Sequence, residues 1–334
     1  MSTFRMPAEW ERHEGTWLAW PHEKSDWPGK FEPIAWVYCE IVKRLARVER
    51  VHILVNDAAA ERKARKMLKK AHADASTVDF FHCKTDRSWT RDFCPIFVRD
   101  EEGAVVIMDW KFNGWAKYEN SETDDAVPSQ IASHLGLRSV QPGIVVEGGS
   151  IDVNGAGWML TTEECLLSDV QARNPGMTRE QYEKIFGRFL GITRTIWLKR
   201  GIAGDDTHGH VDDLARFVNP TTIVLAVEHD SNDENFEPLQ ENLSLLRTTD
   251  LHIVELPMPG PVYFDGQRLP ASYANFYIAN DLVLMPTFND KNDRVALNTL
   301  ARLFPTREVV GIHSVDLVLG LGTLHCMTQQ QIIK

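Results

Sequence analysis

Apolar positions recur with the spacing of an α-helix in six segments of the chain, which cover 33–48, 57–70, 124–136, 178–190, 235–248 and 291–303. Helix start signals support this pattern, because Asp57 opens the second segment and Thr178 opens the fourth. Four of the helices begin at 124, 178, 235 and 291, so the intervals between them are 54, 57 and 56 residues. Such regular intervals predict a structural repeat.

Short strand patterns stand in a fixed order around these helices. In the third repeat, strands are predicted at 214–218 and 223–227 before the helix and at 252–256 after it. The fourth repeat shows the same order. The repeating unit is therefore strand, strand, helix, strand.

The last unit is incomplete at the C-terminus, where a strand predicted at 324–328 is followed by no helix. The N-terminus supplies the missing parts as a strand at 16–20, a helix at 33–48 and a strand at 51–55. We therefore predict an α/β fold with one domain over 1–334, in which the termini close a ring of five units, as in a propeller. The second N-terminal helix and the strand after it do not fit this scheme.

Composition and charge narrow the class of protein. The chain has 334 residues, of which 43% are apolar and 25% charged, and these values are typical of a globular protein. Lys and Arg number 36 against 47 Asp and Glu, which leaves a net charge of −11. This charge argues against a general nucleic-acid or anionic-membrane surface and suits a small cationic ligand.

No export or membrane signal is present in the sequence. No apolar run approaches the ~18 residues of a membrane span, and charged residues such as Glu9 and Arg12 interrupt the N-terminal region. The five cysteines form no CxxC pair, so neither a disulfide framework nor a thiolate zinc site is indicated. We expect a cytoplasmic protein, with a homodimer as the commonest oligomeric state.

The repeat also organises the residues that carry chemistry. Asp92, Glu147, His210 and Cys326 occupy comparable places, just before or within the first strand of different units. In a closed ring these places face one axis, so we expect the four side chains to meet in one pocket. The third segment adds Asp206, His208 and Asp212, which alternate with His210, and a strand would point all four to one face.

One chemical interpretation of this segment is a metal site. Asp206, His208, His210 and Asp212 offer the imidazole and carboxylate ligands that Zn²⁺ or Mn²⁺ accept. An HxH pair is common by chance, and this interpretation leaves Glu147 and the C-terminal cysteine without a role. A metal-dependent hydrolase therefore remains an alternative hypothesis.

The other interpretation is nucleophilic catalysis by Cys326, with His210 as general acid and base and Glu147 orienting the imidazole. Asp92 and Asp212 would then be anions beside the thiol and would raise its pKa above the ordinary ~8.5. A planar guanidinium held by both carboxylates would compensate this charge and would present its carbon to the sulfur. These residue types predict a guanidine-modifying cysteine enzyme.

Six motifs make the sequence similar to a known family. They are MPAEWERHEGTWLAWPH at 6–22, SWTRDFCPIF at 88–97, VVEGGSIDVNG at 145–155, GIAGDDTHGHVDD at 201–213, YFDGQRLPASYANFYIAN at 263–280 and LGLGTLHCMTQQ at 319–330. Over nearly its whole length the chain resembles the agmatine deiminases, within the wider family that also holds the bacterial peptidylarginine deiminases. The resemblance implies a five-bladed α/β propeller, the pentein fold. It also implies cofactor-free hydrolysis of agmatine to N-carbamoylputrescine and ammonia, in putrescine biosynthesis.

The resemblance also implies a role for each motif residue. Cys326 matches the nucleophile that forms an amidino-cysteine intermediate, His210 the acid and base, and Glu147 its partner. Asp92 and Asp212 match the residues that grip the guanidinium. Further substrate contacts are implied for two residues, Asp206 and Trp89.

Two further positions, Trp115 and Leu321, bear on the pocket. Trp115 lies on a glycine-bearing loop, from which it could line the pocket. Leu321 stands where some relatives carry a glycine, just before Cys326. A peptidylarginine deiminase, an amidinotransferase and a polyamine-binding protein without activity remain as alternatives to an agmatine deiminase.

Overall fold

The computed structural model describes residues 4–333. In chain order its strands are β1 (Phe4–Arg5), β2 (His13–Ala19), β3 (Arg50–Val55), β4 (Val78–His82), β5 (Ile96–Asp100), β6 (Val105–Met108), β7 (Arg138–Val140), β8 (Asp152–Val153), β9 (Trp158–Thr162), β10 (Arg194–Leu198), β11 (Ala215–Asn219), β12 (Thr222–Val227), β13 (His252–Pro257), β14 (Tyr263–Phe264), β15 (Gln267–Arg268), β16 (Tyr277–Ile278), β17 (Leu282–Thr287), β18 (Glu308–His313) and β19 (Gln329–Ile332). Its α-helices are α1 (Phe31–Leu45), α2 (Ala58–Lys70), α3 (Thr90–Phe93), α4 (Glu122–Asp125), α5 (Val127–Leu135), α6 (Glu163–Leu167), α7 (Arg179–Leu190), α8 (Phe236–Leu246) and α9 (Asp293–Leu303).

One topology recurs in the sheets. In the third unit, β11 pairs antiparallel with β12, and β12 pairs parallel with β13 after the crossover through α8. The fourth unit repeats this pattern with β16, β17, α9 and β18. The first and second units do the same with β5–β6–β7 and β8–β9–β10, and β1 extends the first by pairing with β5. A parallel neighbour requires such a crossover, and the predicted order of strand, strand, helix, strand is confirmed.

The fifth sheet joins the two ends of the chain. Its order is β19–β2–β3–β4, with β19 antiparallel to β2 and the other pairs parallel. The prediction that N-terminal elements complete the last unit is thus confirmed. The helix and strand that did not fit the scheme are α2 and β4, and β4 is the fourth strand of this sheet, parallel to β3 and at its edge.

The strand predicted at 324–328 is wrong. The last strand begins at Gln329, and the residues before it form a turn. The Thr328 hydroxyl donates to the carbonyl of Leu324 at 2.8 Å, and the Thr328 amide donates to the carbonyl of His325 at 3.1 Å. These local bonds occupy the backbone groups that a strand would use in its ladder, so the chain turns instead.

Apolar side chains fill the space between the sheets and the helices. Trp17 and Trp27 are fully buried, and every residue of β12 is buried, as expected for a central strand covered on both faces. The ring of Trp27 lies 5.3 Å from that of Trp89, measured between centroids, so the core extends to one of the predicted site residues. None of the helices within residues 4–333 has the length and apolar character needed to cross a membrane.

Candidate active site

The segments that precede the first strands of the five units converge. Asp92 lies on α3 before β5, Glu147 directly precedes the 3₁₀ turn Gly148–Ser150 before β8, and His210 directly precedes the 3₁₀ turn Val211–Asp213 before β11. Asn275 precedes β16, and Cys326 lies in the turn before β19. Side-chain contacts join these segments: His210 lies next to Asp92 and Glu147, and Asn275 donates to Cys326. The structure therefore brings Asp92, Glu147, His210, Asp212 and Cys326 together.

A cavity of about 440 Å³ opens over this cluster. Among the predicted residues, those that line it are Asp92, Cys326, Trp89, Trp115 and Asp206. His210, Glu147 and Asp212 are buried directly behind Asp92 and Cys326. The cavity therefore gives a ligand direct access to the Cys326 thiol and to the Asp92 carboxylate beside it, and His210, Glu147 and Asp212 act from the wall behind them.

Cys326 lies at the buried end of the cavity and is only 6% exposed. Its Sγ accepts a hydrogen bond from the side-chain Nδ2 of Asn275 at 3.1 Å and lies 3.7 Å from Asp212 Oδ2. Burial, together with the negative charges of Asp212, Asp213 and Asp92, raises the pKa of the Cys326 thiol well above its ordinary value. The resting protein therefore holds a neutral thiol at neutral pH.

Leu321, five residues before Cys326, takes an unusual backbone conformation. It lines the cavity with a φ of 67°, in the left-handed region that favours glycine. A glycine at this place would adopt this backbone at a lower conformational cost.

His210 is enclosed by carboxylates. Its Nδ1 lies 3.8 Å from Asp92 Oδ1 and 4.0 Å from Asp212 Oδ1, and its Nε2 lies 3.6 Å from Glu147 Oε2. Burial alone would lower the pKa of His210, but Asp92, Cys165 and Glu147 raise it well above its ordinary value. Across residues 4–333, neither ring nitrogen has a hydrogen-bond partner within reach. The imidazole is therefore charged and free to give a proton to a ligand.

Glu147 is held by a fully buried arginine. Arg173 donates from Nε to Glu147 Oε1 at 2.9 Å, and its other nitrogens donate to the carbonyls of Gln171 and Thr207. Burial alone would raise the pKa of Glu147, but Arg173 and His210 lower it to about 2. Glu147 is thus ionised at every physiological pH, and one oxygen remains for His210.

Asp92 is oriented by two neighbouring donors. The Trp115 indole donates to Oδ2 at 2.9 Å, and the Gly149 amide donates to Oδ1 at 3.1 Å. A Cβ at Gly149 would come within 2.5 Å of His210 Nδ1 and 2.8 Å of Asp92 Oδ1, so only glycine fits between them. Burial, with the charges of Asp212 and Glu147, raises the pKa of Asp92 to about 6, although His210 opposes this shift.

Asp212 belongs to a buried charged network. His325 bridges two carboxylates, with Nδ1 2.6 Å from Asp212 Oδ2 and Nε2 2.7 Å from Glu9 Oε2. Arg216 and Arg91 also pair with Glu9, at 2.9 and 3.2 Å. Burial would raise the pKa of Asp212, but His325 and His210 lower it, so this carboxylate stays ionised beside the thiol.

The predicted strand face over 206–212 is wrong. Residues 203–209 form turns and bends rather than a strand, and His208 has a φ of 60°. His208 therefore points away from His210, lines a separate surface cleft and contacts the Ser168 hydroxyl at 3.2 Å. A metal site that uses both histidines is thereby excluded by geometry.

Within residues 4–333, two other groups of side chains have donor atoms within 4.8 Å of one another, as a metal site would need. They are Glu147, Cys165 and His210, and Asp212, Asp213 and Cys326. In the first group Glu147 already pairs with Arg173, and in the second Asp213 accepts a bond from Asn275 at 2.9 Å. The ligand atoms are therefore engaged in part by the protein itself.

Sequence reasoning missed the supporting residues. Arg173 and Cys165 flank the His210–Glu147 pair, and Asn275 and His325 hold the Cys326 turn. The Asn275 carbonyl oxygen Oδ1 accepts from the Thr323 hydroxyl at 2.8 Å and from the His325 amide at 3.0 Å. Asn275 and His325 carried a signal, because they lie in the motifs at 263–280 and 319–330, whereas Arg173 and Cys165 lie in no motif.

Loss of Arg173 is expected to destabilise the protein strongly. Arg173→Gln leaves the Glu147 carboxylate buried without its cation, which costs about 3–5 kcal/mol in the free energy of unfolding. Folding lowers the pKa of Glu147 to about 2, so the pair stabilises the protein only where this carboxylate is ionised. The variant should therefore lose the full stabilisation free energy above the ordinary pKa of a glutamate, and the difference from wild type should shrink as the pH falls toward 2. Urea unfolding across this range measures it.

Arg179→Gln is the matched control for this variant. Arg179 pairs with Glu163 in the partly exposed surface region, so its loss should change the free energy of unfolding by less than about 1 kcal/mol. If both variants lose the same stability, or if the Arg173 effect does not depend on pH, the buried pair does not have the assigned role.

A distantly related solved structure shares the fold of the chain. SxtG, an amidinotransferase from Microseira wollei, shares 10% identity and superposes with a TM-score of 0.51 over 98% of this chain and 96% of that one. The chain thus has the mixed α/β fold of the amidinotransferases.

Two solved structures are much more similar. A C. jejuni agmatine deiminase variant with substrate bound is 33% identical, with a TM-score of 0.90 over 99% of this chain and 96% of that one. The Enterococcus faecalis agmatine deiminase is 30% identical, with a TM-score of 0.91 over 98% of this chain and 96% of that one. The chain belongs to the Porphyromonas-type peptidyl-arginine deiminase family, whose model matches residues 5–331.

Proposed function

We propose that this protein is an agmatine deiminase, which hydrolyses the guanidinium of agmatine to give N-carbamoylputrescine and ammonia. The observation that carries the proposal is the Cys326 thiol at the buried end of a cavity, beside the ionised Asp212 and close to Asp92. A thiol with so raised a pKa becomes reactive only when a cation binds beside it. A guanidinium is such a cation, and its carbon is the atom that the sulfur would attack.

The fold supports the proposal at a second level. The five sheets of like topology would be the five blades of a pentein propeller in one catalytic domain, with the segments before their first strands around its axis. Every unit contributes one of the residues described above. In this arrangement the enzyme would serve putrescine synthesis in the cytoplasm.

In the first half of the reaction, the bound guanidinium lowers the pKa of the Cys326 thiol, and the thiol proton leaves to solvent. The thiolate then forms a C–S bond to the guanidinium carbon. Protonated His210 gives its proton to one amino group, the C–N bond breaks, and ammonia leaves. The products of this half are an amidino-cysteine cation and a neutral His210, whose orientation Glu147 maintains.

In the second half, neutral His210 takes a proton from a water molecule that attacks the amidino carbon. The C–S bond of the resulting adduct breaks, the hydroxyl proton returns to the sulfur, and the ureido product forms. His210 is then protonated again for the next cycle. The ammonia takes up the proton that the thiol released at the start, so charge and atoms balance.

The cavity also favours a substrate that has no carboxylate. Arg87 is the one Arg or Lys among the described lining residues, and it is paired with Asp26. The α-carboxylate of free arginine would therefore find no unpaired cation. Agmatine lacks this group.

The experiment is a side-by-side assay of agmatine, arginine and an arginyl peptide for ureido product and ammonia, with a chelator present. Turnover of agmatine alone, abolished by iodoacetamide, is the expected result. Turnover of the peptide alone would support the cysteine chemistry but would identify peptide-bound arginine, not agmatine, as the substrate. Product that forms only from an added amine acceptor would make the protein an amidinotransferase and would overturn the proposal.

A further inference from the structure

Four carboxylates line the cavity, and they differ in their partners. Asp26 is paired with Arg87, and Asp206 is paired with Lys117 and accepts a bond from the Tyr118 hydroxyl at 2.7 Å. These two charges are therefore already compensated by the protein.

The other two carboxylates are paired with no Lys or Arg. Asp92 accepts hydrogen bonds only from neutral donors, and the His210 cation 3.8 Å away also faces Asp212 and Glu147. Asp265 forms no ion pair or hydrogen bond with any residue in the described part of the chain, 4–333. The cavity thus presents two carboxylates that no Lys or Arg neutralises.

These two carboxylates lie at different depths. Asp92 is 6% exposed and belongs to the buried end, next to Cys326. Asp265 is exposed and stands in the two-residue turn between β14 and β15. Asp265 and Gly266 both have positive φ, of 49° and 79°, as in the tight hairpin turn that Asp-Gly favours. This turn fixes the backbone that carries the outer carboxylate.

The rest of the cavity wall is partly apolar. Trp89, Leu319 and Phe264 line the cavity, and Phe264 belongs to the same hairpin as Asp265. A partly apolar cavity that has one carboxylate without a Lys or Arg partner at its buried end and another in its exposed part matches a ligand with a cation at each end of an alkyl chain.

We propose that Asp265 is the specificity-determining residue that receives the distal ammonium of the substrate, while Asp92 receives its guanidinium. This inference rests on the proposed function and deepens it. Agmatine carries both cations, and an exposed carboxylate at the hairpin attracts the second one. The same carboxylate repels the α-carboxylate of arginine. Asp26 and Asp206 are less suited to this role, because a second cation there would compete with Arg87 or Lys117.

The test compares two substrates in Asp265→Asn. Asparagine tolerates the positive φ of this position, so the hairpin is kept. We expect the KM for agmatine to rise about fivefold, as for an exposed ion pair, with kcat unchanged. The KM for n-butylguanidine, which has the guanidinium and no amine, should stay unchanged. The fivefold difference should vanish at about 1 M salt, where the Debye length falls to ~3 Å.

Asp250→Asn is the matched control, because Asp250 is exposed and does not line the cavity. It removes the same charge and should leave both KM values unchanged. The assignment would be overturned if Asp265→Asn changed the KM values for both substrates equally, or if it left the KM for agmatine unchanged. A wild-type protein that turns over n-butylguanidine and not agmatine would overturn it too, whereas one that turns over no guanidine would refute the proposed function itself.

Discussion

Cys326→Ala is expected to lower the turnover of agmatine by at least about 10⁴-fold, because the reaction loses its nucleophile and no other group replaces it. Binding should remain measurable, since the carboxylates that attract the guanidinium are untouched and the alanine removes only the sulfur. Ammonia release measures turnover, and isothermal titration calorimetry with agmatine measures binding. In the variant the bound substrate should stay intact.

Cys39→Ala is the matched control for this prediction. Cys39 is a buried thiol on α1, outside the cavity, so its loss should leave turnover near the wild-type level. Iodoacetamide should inactivate the Cys39 variant as it does the wild type. Turnover within tenfold of wild type in Cys326→Ala would contradict a cysteine mechanism.

The repeat could be predicted from sequence because it follows local physical rules. Apolar spacing marks α7, α8 and α9, a side-chain cap also marks the start of α7, and the regular intervals between the three helices indicate the unit. The sheet that joins β19 to β2 was also predictable, because an incomplete unit at each end can only be completed by the other. The exact start of β19 was not, because side-chain bonds of Thr328 hold the preceding residues in a turn.

The site was predictable to the extent that it follows the repeat. Equivalent positions brought Asp92, Glu147, His210 and Cys326 to one place, and the structure puts them there. His208 broke the rule, because a positive φ ends the alternation that a strand would impose. The next residue, Gly209, packs so closely against Glu164 that an added Cβ would lie 2.9 Å from the Glu164 Cβ, and no local pattern encodes this contact between distant segments.

The supporting charges could not be predicted because they act over long distances along the chain. Glu9 meets His325 across 316 residues, and Arg173 meets Glu147 across 26. An isolated Glu or Arg in the sequence is usually a solvated surface group. Only the three-dimensional arrangement shows that Glu9 and Arg173 are buried and paired, and these pairs set the charges around the thiol.

Asp92→Asn is expected to change turnover and thiol reactivity in opposite directions. Turnover should fall because the variant lacks the charge that holds the guanidinium. We expect kcat/KM for agmatine to fall about 10²–10³-fold, as when one partner of a buried charge pair is removed. The wild-type profile of kcat/KM should also fall as the pH drops through about 6, where Asp92 takes up a proton. The variant should lack this step.

In the free protein, the same change should make Cys326 more reactive toward iodoacetamide, a small neutral reagent. Asp92 is one of the anions that raise the pKa of the thiol, so its neutralisation lowers that pKa and increases the thiolate fraction at pH 8. Since a less basic thiolate is also a weaker nucleophile, the rate of alkylation should rise by about threefold for each unit that the pKa falls.

Asp109→Asn separates this effect from a general loss of a buried carboxylate. Asp109 is 7% exposed, is bonded to Gln141 and lies outside the cavity, so its variant should keep the wild-type rates of turnover and alkylation. Slower alkylation in Asp92→Asn would mean that Asp92 activates the thiol directly, against the electrostatics of the cluster. Faster alkylation together with slower turnover would mean that the resting protein restrains its nucleophile, and that the cation of the substrate supplies the charge which releases it.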